Sequence, residues 1–457
     1  QQLGVRHARK RKRHVLNYAD QWVRYQKWRL AGNHIAGGSY HWLLDHLHDP
    51  VSLWAEGFRN TTGLSKEEFL ALLDEARASG EFVDEEARGI GRPDPIPLEY
   101  KLLMALVKMR QGVSFYSFEA SMEISRTVAG NFFHKFCAWL SSPAKYGEQV
   151  FMPRTPEERD RIEIVYRNLG HFGCVGSKDG VHFPSHRIAD DVRWLAENRR
   201  YQGRQFCANV TVSHNGLAQY TTPLFYGNTP DSAMLRHDEH DMRLNDRDDI
   251  FFNTPINLKD VLGNPLTEQG NWVLCDNGYE RSQGMLCPSK DAMRDAGRPI
   301  GFYSGMIEST RKDIECFFGH IKREFQQFRN GVEFKDVMKV QNMWRAALYL
   351  HNRKIRENGF DSHGDEVNDY VCPIQRLRRH VIDGHVLESI DVERRHLLPG
   401  QALIVHQLQP NSTDAQRRYR FEQKRMHLAH NFWRLDYEFD AIYNLRTRAD
   451  LFKPVRN

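Results

Sequence analysis

Three acidic residues stand out for the company they keep. Asp179 sits in Ser177-Lys-Asp-Gly-Val-His-Phe183, Asp276 in Leu274-Cys-Asp-Asn-Gly-Tyr279, and Glu315 in Ile314-Glu-Cys-Phe-Phe-Gly-His-Ile-Lys-Arg-Glu-Phe325. The first two each follow an apolar, strand-like run, and the third lies on an amphipathic helical pattern. Hard carboxylate oxygens from two strand ends and one helix suit a pair of Mg²⁺ (or Mn²⁺) ions. Two such ions, about 3.5–4 Å apart, can activate the attacking oxygen and stabilise the leaving one in phosphodiester cleavage. Asp179, Asp276 and Glu315 are therefore the candidate catalytic residues and metal ligands. Gly180 and Gly278 next to the two Asp leave room for a phosphate backbone to approach. On the helix, Gly319 and Lys322 fall within about 40° of Glu315, and Arg311 lies one turn before it. Arg311, Lys322 and Arg323 are candidate phosphate contacts. Taken singly, each Asp reads more readily as a strand-end turn residue than as a ligand, and the helix face as a solvated Glu–Lys stripe; the ordered set carries the argument.

The elements that must position these residues follow from periodicity. Phe172 to Ser177 predicts a buried strand, and Phe206 to Ser213 a second. His214-Asn-Gly216 predicts a hairpin turn, with Leu217 to Phe225 returning. Trp272 to Asp276 predicts a further strand. A long helix is expected from Thr310 to about Phe328, burying Ile314, Phe317, Phe318, Ile321, Phe325 and Phe328, and another from Val337 to Lys354. Residues 235–250, rich in Asp, Arg and His, read as an exposed loop, part of an exposed insertion near 235–260. The order strand, hairpin, strand, helix, with one acid at each key position, is what an α/β RNase H-like catalytic domain requires: a mixed sheet flanked by helices, placed here at 160–355.

Upstream, residues 98–145 form a helical, helix-turn-helix-like segment. Leu98, Leu102, Leu103, Leu106 and Val107 repeat at helical spacing, Gly112 breaks the pattern, and Phe115 to Met122 forms a second helix. Ser125 caps a third, with Val128, Phe132, Phe133 and Phe136 on one side. This reads either as a DNA-binding motif or as a three-helix packing module; Arg126 is the candidate DNA contact, with Lys135 the other basic residue on that helix. Residues 1–97 combine a basic arm with a helical region. Ser65-Lys-Glu-Glu68 is a capping box opening a helix with Phe69, Leu70, Leu72 and Leu73, and Gly89 to Pro97 is a linker. Residues 370–457 form a mostly helical or irregular C-terminal extension, in which Phe421 to Tyr443 mixes aromatics and charges at helical spacing.

The 457 residues imply more than one domain, and 40% hydrophobic with 27% charged residues suits a globular chain. No apolar run of about 18 residues predicts a membrane span, and no membrane partner is expected. The seven Cys include no C-x-x-C pair, which argues against a disulfide framework or zinc site and points to a reducing compartment. The net charge is only +5, but residues 6–14 hold six Arg or Lys and no acid. Within that block Arg9, Lys10, Arg11, Lys12 and Arg13 fit a nuclear-import signal or a phosphate-binding tail.

The chain resembles the PIF/Harbinger transposases and their Harbinger-derived nuclease relatives. The resemblance runs from about Leu98 to Asn352. It rests on the helical segment Leu98–Leu140, Lys178 to His182, Arg199 to Arg204 leading into the strand Phe206–Val212, and Gly227 to Ser232. It continues through Cys275 to Tyr279, Ile314 to Phe325 and Tyr349 to Asn352. Asp179, Asp276 and Glu315 match the DDE triad, and Asp231 matches a usually acidic position that supports the site. The resemblance implies cleavage of double-stranded DNA at transposon terminal repeats, followed by joining of 3′ hydroxyl ends to target DNA in the nucleus. It also implies a Myb/SANT-like accessory protein. A homodimer or higher oligomer is expected because two ends must be held together. Asp276 and Glu315 are 39 positions apart (315 − 276), a shorter separation than the resemblance leads one to expect. Two other functions fit the same residues: a domesticated transposase that binds DNA without catalysis, and a metal-dependent nuclease that only hydrolyses.

Overall fold

The computed structural model describes residues 46–47, 55–83, 420–432 and most of 96–358; within that last range 123, 189, 198–202, 261–262, 280–281, 283 and 290–298 lie outside the description. The basic arm with Arg9 to Arg13, most of the 89–97 linker, Arg199 to Gln202, and Cys372 with the rest of the C-terminal region other than 420–432 also lie outside it. The described residues fall into two compact units. One comprises those within Gln1–Tyr146 and Ile321–Leu350, the other those within Gly147–His320 and His351–Asn457.

The first unit is helical. Helices α1 (Ala55–Thr62) and α2 (Lys66–Ala78) are followed by α3 (Leu98–Gln111), α4 (Phe115–Met122) and α5 (Arg126–Ser141). The expected capping box is present: Ser65 Oγ accepts from Glu68 N–H at 3.2 Å, and Glu68 accepts from the Ser65 N–H at 2.5 Å. Helix α3 is buried on almost every side, and its Lys108 is held by the Val113 carbonyl at 2.6 Å and Glu333 at 3.0 Å. Burial pulls the Lys108 ammonium below its usual pKa, against the opposing pull of Glu333. Gly112 ends α3 in the left-handed region (φ 68°), which glycine tolerates without a Cβ penalty. Ser125 caps α5 through Val128 N–H. Val128 itself, expected on the inner side, is 37% exposed, because it follows the cap in the first turn, ahead of the inward stripe Ala129, Phe132, Phe133 and Phe136.

The second unit is a mixed sheet flanked by helices. After α6 (Pro156–Asn168) come β1 (Cys174–Pro184), β2 (Gln205–Val212), β3 (Ala218–Thr221) and β4 (Phe225–Tyr226). Next are α7 (Asp231–Leu235), α8 (Glu239–Asn245), the hairpin β5 (Pro255–Lys259) and β6 (Pro265–Gln269), β7 (Trp272–Leu274) and β8 (Met285–Leu286). Helices α9 (Pro299–Thr310) and α10 (Lys312–Glu324, in this unit as far as His320) follow; α11 (Val337–Asn358) belongs to the first unit up to Leu350 and to this one from His351, and α12 spans 420–432. The strand order is β3-β2-β1-β7-β8, with β4 also on β2. The strands β1, β2 and β3 run antiparallel in turn, while β1, β7 and β8 are parallel. The predicted hairpin turns at Gly216 (φ 75°). Asn352 near the end of α11 clamps the return strand, accepting from Ala218 N–H at 2.9 Å and donating to the Ala218 carbonyl at 2.7 Å.

Three expectations need correction. Strand β1 does not stop at Ser177: it continues to Pro184, with Asp179 opposite Val210. Asp179 is therefore a mid-strand residue. The sequence hides this because Lys178 looks like a surface residue, yet it is fully buried and paired at 2.8 Å with equally buried Asp238. Second, residues 235–250 are not an exposed loop. Asp238 caps α8, and Asp238, His240, Leu244 and Phe251 are buried; only the turn after α8 is as expected, with Asp246, Arg247 and Asp248 exposed. Third, the helix expected from Thr310 to about Phe328 runs as α10 from Lys312 to Glu324 and is followed by a separate short helix, Gln327–Asn330, while α9, unforeseen in the sequence, precedes it from Pro299 to Thr310. The buried stripe Ile314, Phe317, Ile321, Phe325 and Phe328 is as expected, with Phe318 half-buried.

The core of this unit gathers Tyr166 of α6, Val175 of β1, Trp272 to Leu274 of β7, and Tyr303, Met306 and Ile307 of α9. Phe421, Leu428, Ala429 and Phe432 of α12 belong to the same core. This part of the expected C-terminal extension is thus built into the mixed-sheet unit. Among the described residues no helix is long and apolar enough to cross a membrane. Cys137, Cys174, Cys207, Cys275, Cys287 and Cys316 are free thiols.

Candidate active site

Side chains alternate across a strand, so Ser177 and Asp179 share one face of β1 and Lys178 takes the other. On the Lys178 side, the Lys178–Asp238 pair fixes the start of α8, and with it the short α7 that begins at Asp231. On the Asp179 side, Asp179 Oδ2 accepts from Arg311 Nη1 at 3.1 Å. The same guanidinium reaches Glu315 Oε1 at 3.3 Å and Glu308 Oε1 at 3.1 Å. One buried cation thus joins the strand carboxylate to the helix carboxylate one turn on. Glu315 remains half exposed, at 51%.

Asp276 lies two residues past the end of β7, in a turn closed by Gly278 N–H donating to Asp276 Oδ1 at 2.6 Å. The turn is tied back to the sheet by buried Tyr279, whose hydroxyl donates to Asn209 Oδ1 of β2 at 3.0 Å. Asp231 stands between the two glycines. A Cβ on Gly180 would come within 3.1 Å of Asp231 Oδ1. One on Gly278 would meet Asp276 Oδ1 at 2.9 Å and Asp231 Oδ2 at 3.1 Å. The missing side chains make room for these carboxylates. Burial pushes the Asp179 carboxyl up to about 6, against the lowering pull of Arg311 and of the Gly180 N–H; nearby Asp276 and Asp231 add to the rise. Burial works against the Arg311 charge, but Glu308, Asp179 and Glu315 together raise its pKa above the ordinary value.

A second carboxylate on α10 has a different setting. Asp313 Oδ2 accepts from Ser177 Oγ at 2.9 Å and from the Tyr166 hydroxyl at 3.1 Å, and His214 Nδ1 lies at 3.1 Å. Burial, reinforced by Asp313, pushes the Tyr166 phenol well above its usual pKa, so it stays a donor. Just before Arg311, Thr310 is held by buried His171 at 2.9 Å, with Tyr303 on the other ring nitrogen at 3.3 Å. Burial lowers the His171 pKa to about 3, so the ring is neutral. The backbone is therefore pinned on both sides of Arg311.

The remaining expected contacts are placed as follows. Arg126 pairs with Glu119 at 2.8 Å and lies 4.0 Å from the Tyr116 ring centre, on the exposed start of α5. Lys322 and Arg323 lie in the part of α10 that belongs to the first unit. Lys322 is half-buried, with its pKa lowered by that burial, and Arg323 is exposed. Arg311 faces carboxylates rather than open solvent. The supporting roles of Lys178, Asn209, Tyr279 and Asp313 were not foreseen. The Arg311–Glu315 spacing of four is the one signal in the sequence for the ion pair, and nothing in the sequence singles out Asp313.

Among the described residues no three His, Cys, Asp or Glu side chains stand close enough as placed to hold a metal ion. The donor set nevertheless suits a hard divalent cation. Asp179, Asp231, Asp276 and Glu315 offer only oxygen, Asp231 and Asp276 sit against the same glycine, and the cluster already draws in a buried positive group.

A mixed sheet flanked by helices, with acids from a central strand, a strand-end turn and a helix, defines an α/β nuclease-like domain. Residues 179–352 match the family model described as DDE superfamily endonuclease, the match opening on Asp179 and closing on Asn352. The match, over 174 of the 457 residues (352 − 179 + 1), points to a transposase- or nuclease-type enzyme and is to a superfamily whose members generally use divalent metal ions. No curated protein and no solved structure matches the chain.

Proposed function

We propose that this protein is a PIF/Harbinger-type DDE transposase. It cleaves DNA at transposon ends and joins the 3′ hydroxyl ends to target DNA. The observation that carries this reading is the meeting of Asp179 and Glu315 at one buried guanidinium inside the matched segment, with Asp276 and Asp231 close enough to act on the Asp179 charge. The strand order, with three antiparallel strands followed by two parallel ones, supports an RNase H-like domain.

In this reading Asp179, Asp276 and Glu315 supply the oxygen ligands for two Mg²⁺ (or Mn²⁺) ions, and Asp231 supports them. When bound, the ions supply activation of the attacking oxygen and stabilisation of the leaving one. Tyr279 and the Gly278 N–H hold Asp276 at the edge of the sheet, while Asp313 holds α10 so that Glu315 faces the strand. Burial raises the Asp179 pKa, so a nearby cation favours its charged form. The exposed start of α5 and the arm from Arg9 to Arg13 are proposed duplex contacts, adding affinity through counterion release. Nuclear location, assembly on DNA as a dimer or higher oligomer, and a Myb/SANT-like accessory protein belong to the same proposal.

The test uses the purified full chain with Mg²⁺ or Mn²⁺, labelled terminal-repeat DNA and a supercoiled target plasmid. Cleavage and joined product are expected from the wild type. Asp276→Asn should lose more activity than the ~10–100-fold typical of removing an outer partner of a metal site, with DNA affinity retained within a few-fold. Normal cutting by Asp276→Asn would rule out the ligand assignment. Cleavage without joining would restrict the enzyme to hydrolysis, and DNA binding without either would leave a binding protein.

A further inference from the structure

Arg311 is the positive charge nearest Asp179, and its placement has two notable features. Its guanidinium is shared among Asp179, Glu308 and Glu315 at 3.1, 3.1 and 3.3 Å, on a side chain only 8% exposed. Its Nε is buried and has no hydrogen-bond partner. A guanidinium built as a permanent strut would direct all its donors to acceptors, because a buried unpaired donor carries the full desolvation cost. The backbone on either side does not depend on Arg311. Thr310 is held by His171, and Asp313 by Ser177, Tyr166 and His214. The side chain can leave while α9 and α10 stay in place.

We propose that Arg311 is the resident counter-ion of the carboxylate site, which a divalent cation must displace, and that a DNA phosphate favours the exchange by receiving the released guanidinium. The proposal rests on the reading of Asp179 and Glu315 as metal ligands. Both carboxylates present an oxygen to Arg311, so a divalent ion on those oxygens would stand against a like charge in a partly desolvated site. Glu315 lies half in solvent, which gives the guanidinium an outward path past it. Arg pairs with phosphate through the same planar fork it uses for carboxylates. Metal loading and DNA binding then reinforce each other, and the free protein holds metal weakly.

The experiment measures Mn²⁺ binding by the loss of the free-ion electron paramagnetic resonance signal. It uses the full chain with and without a non-cleavable phosphorothioate terminal-repeat duplex, in the wild type, Arg311→Met, Arg311→Gln and Asp276→Asn. For the wild type, duplex should tighten Mn²⁺ binding about ten-fold or more, within the usual range of coupling between sites. Arg311→Met should bind Mn²⁺ about ten-fold tighter than wild type without DNA, and its duplex effect should shrink to a few-fold. Arg311→Gln keeps polar contacts to the carboxylates and should behave the same way, so a folding defect in Arg311→Met does not decide the outcome. Equal or weaker Mn²⁺ binding by folded Arg311 variants without DNA would overturn the exchange. If Asp276→Asn still lost Mn²⁺, the metal site itself would stand. Absence of Mn²⁺ binding in every variant, with and without duplex, would overturn the metal site and the exchange together.

Discussion

Asp313 and Glu315 are two residues apart on α10, yet Asp313 meets side chains far away in the chain while Glu315 meets Arg311, one turn before it. The Asp313 side chain is only 8% exposed, and its Oδ2 gathers Ser177, Tyr166 and His214. Glu315 is half exposed and meets a guanidinium that also serves Asp179 and Glu308. The first setting spends directional hydrogen bonds on one geometry and fixes a helix to a strand. The second pools several negative charges around one positive group, so its geometry follows whatever cation is present. Burial with several donors makes a carboxylate structural, while exposure beside a shared cation leaves it available for chemistry.

The contrast can be tested from both sides. Glu315→Gln should lower cleavage by about 10³-fold or more, the scale for a group acting as part of a unit, while unfolding free energy moves by no more than about 0.5 kcal/mol. A large loss of stability in denaturant titrations would give Glu315 the role assigned to Asp313. Asp313→Leu should destabilise the fold by about 3 kcal/mol, because Tyr166, Ser177 and His214 all lose a buried acceptor. Tyr166→Phe removes one donor from the same oxygen and should cost about 1 kcal/mol in the same measurement. A smaller, pH-dependent signature belongs to Asp179. Its folded pKa of about 6 lies above the ordinary 3.8, so between those values the folded chain holds more protons than the unfolded one. Its contribution to stability is therefore present at low pH and fades as pH rises through about 6. Wild-type melting temperature should fall relative to Asp179→Asn between pH 4 and 6.5, and parallel curves would place Asp179 in an ordinary carboxylate environment.

Much of the local structure was legible because it depends on short-range rules. The Ser65–Glu68 capping box, the break at Gly112, the Ser125 cap, the turn at Gly216 and the stripe from Ile314 to Phe328 each need only a few neighbouring residues. What was not legible depends on partners far away. Lys178 extends β1 only because Asp238, sixty positions later, neutralises it inside the protein. The polar stretch after residue 235 folds because Leu244 and Phe251 reach the core shared with Trp272. Arg311 is held between Asp179, 132 positions earlier, and two acids on its own pair of helices. The acids themselves were legible by type and order, whereas the crowding of Asp231 and Asp276 about Gly278 appears only once the turn is folded.

Helix 420–432 has a practical consequence for anyone trimming this chain. Phe432 lies 5.4 Å from the Tyr303 ring and 6.2 Å from the His171 ring, and Lys424 donates to the Gln269 and Gly270 carbonyls at 3.1 and 2.5 Å. A fragment cut where the family match closes, at Asn352, would strip the lid from these aromatic rings and leave a greasy scar beside the sheet. Such a fragment would clump during expression, and its silence in an assay would report on the missing helix rather than on the acids.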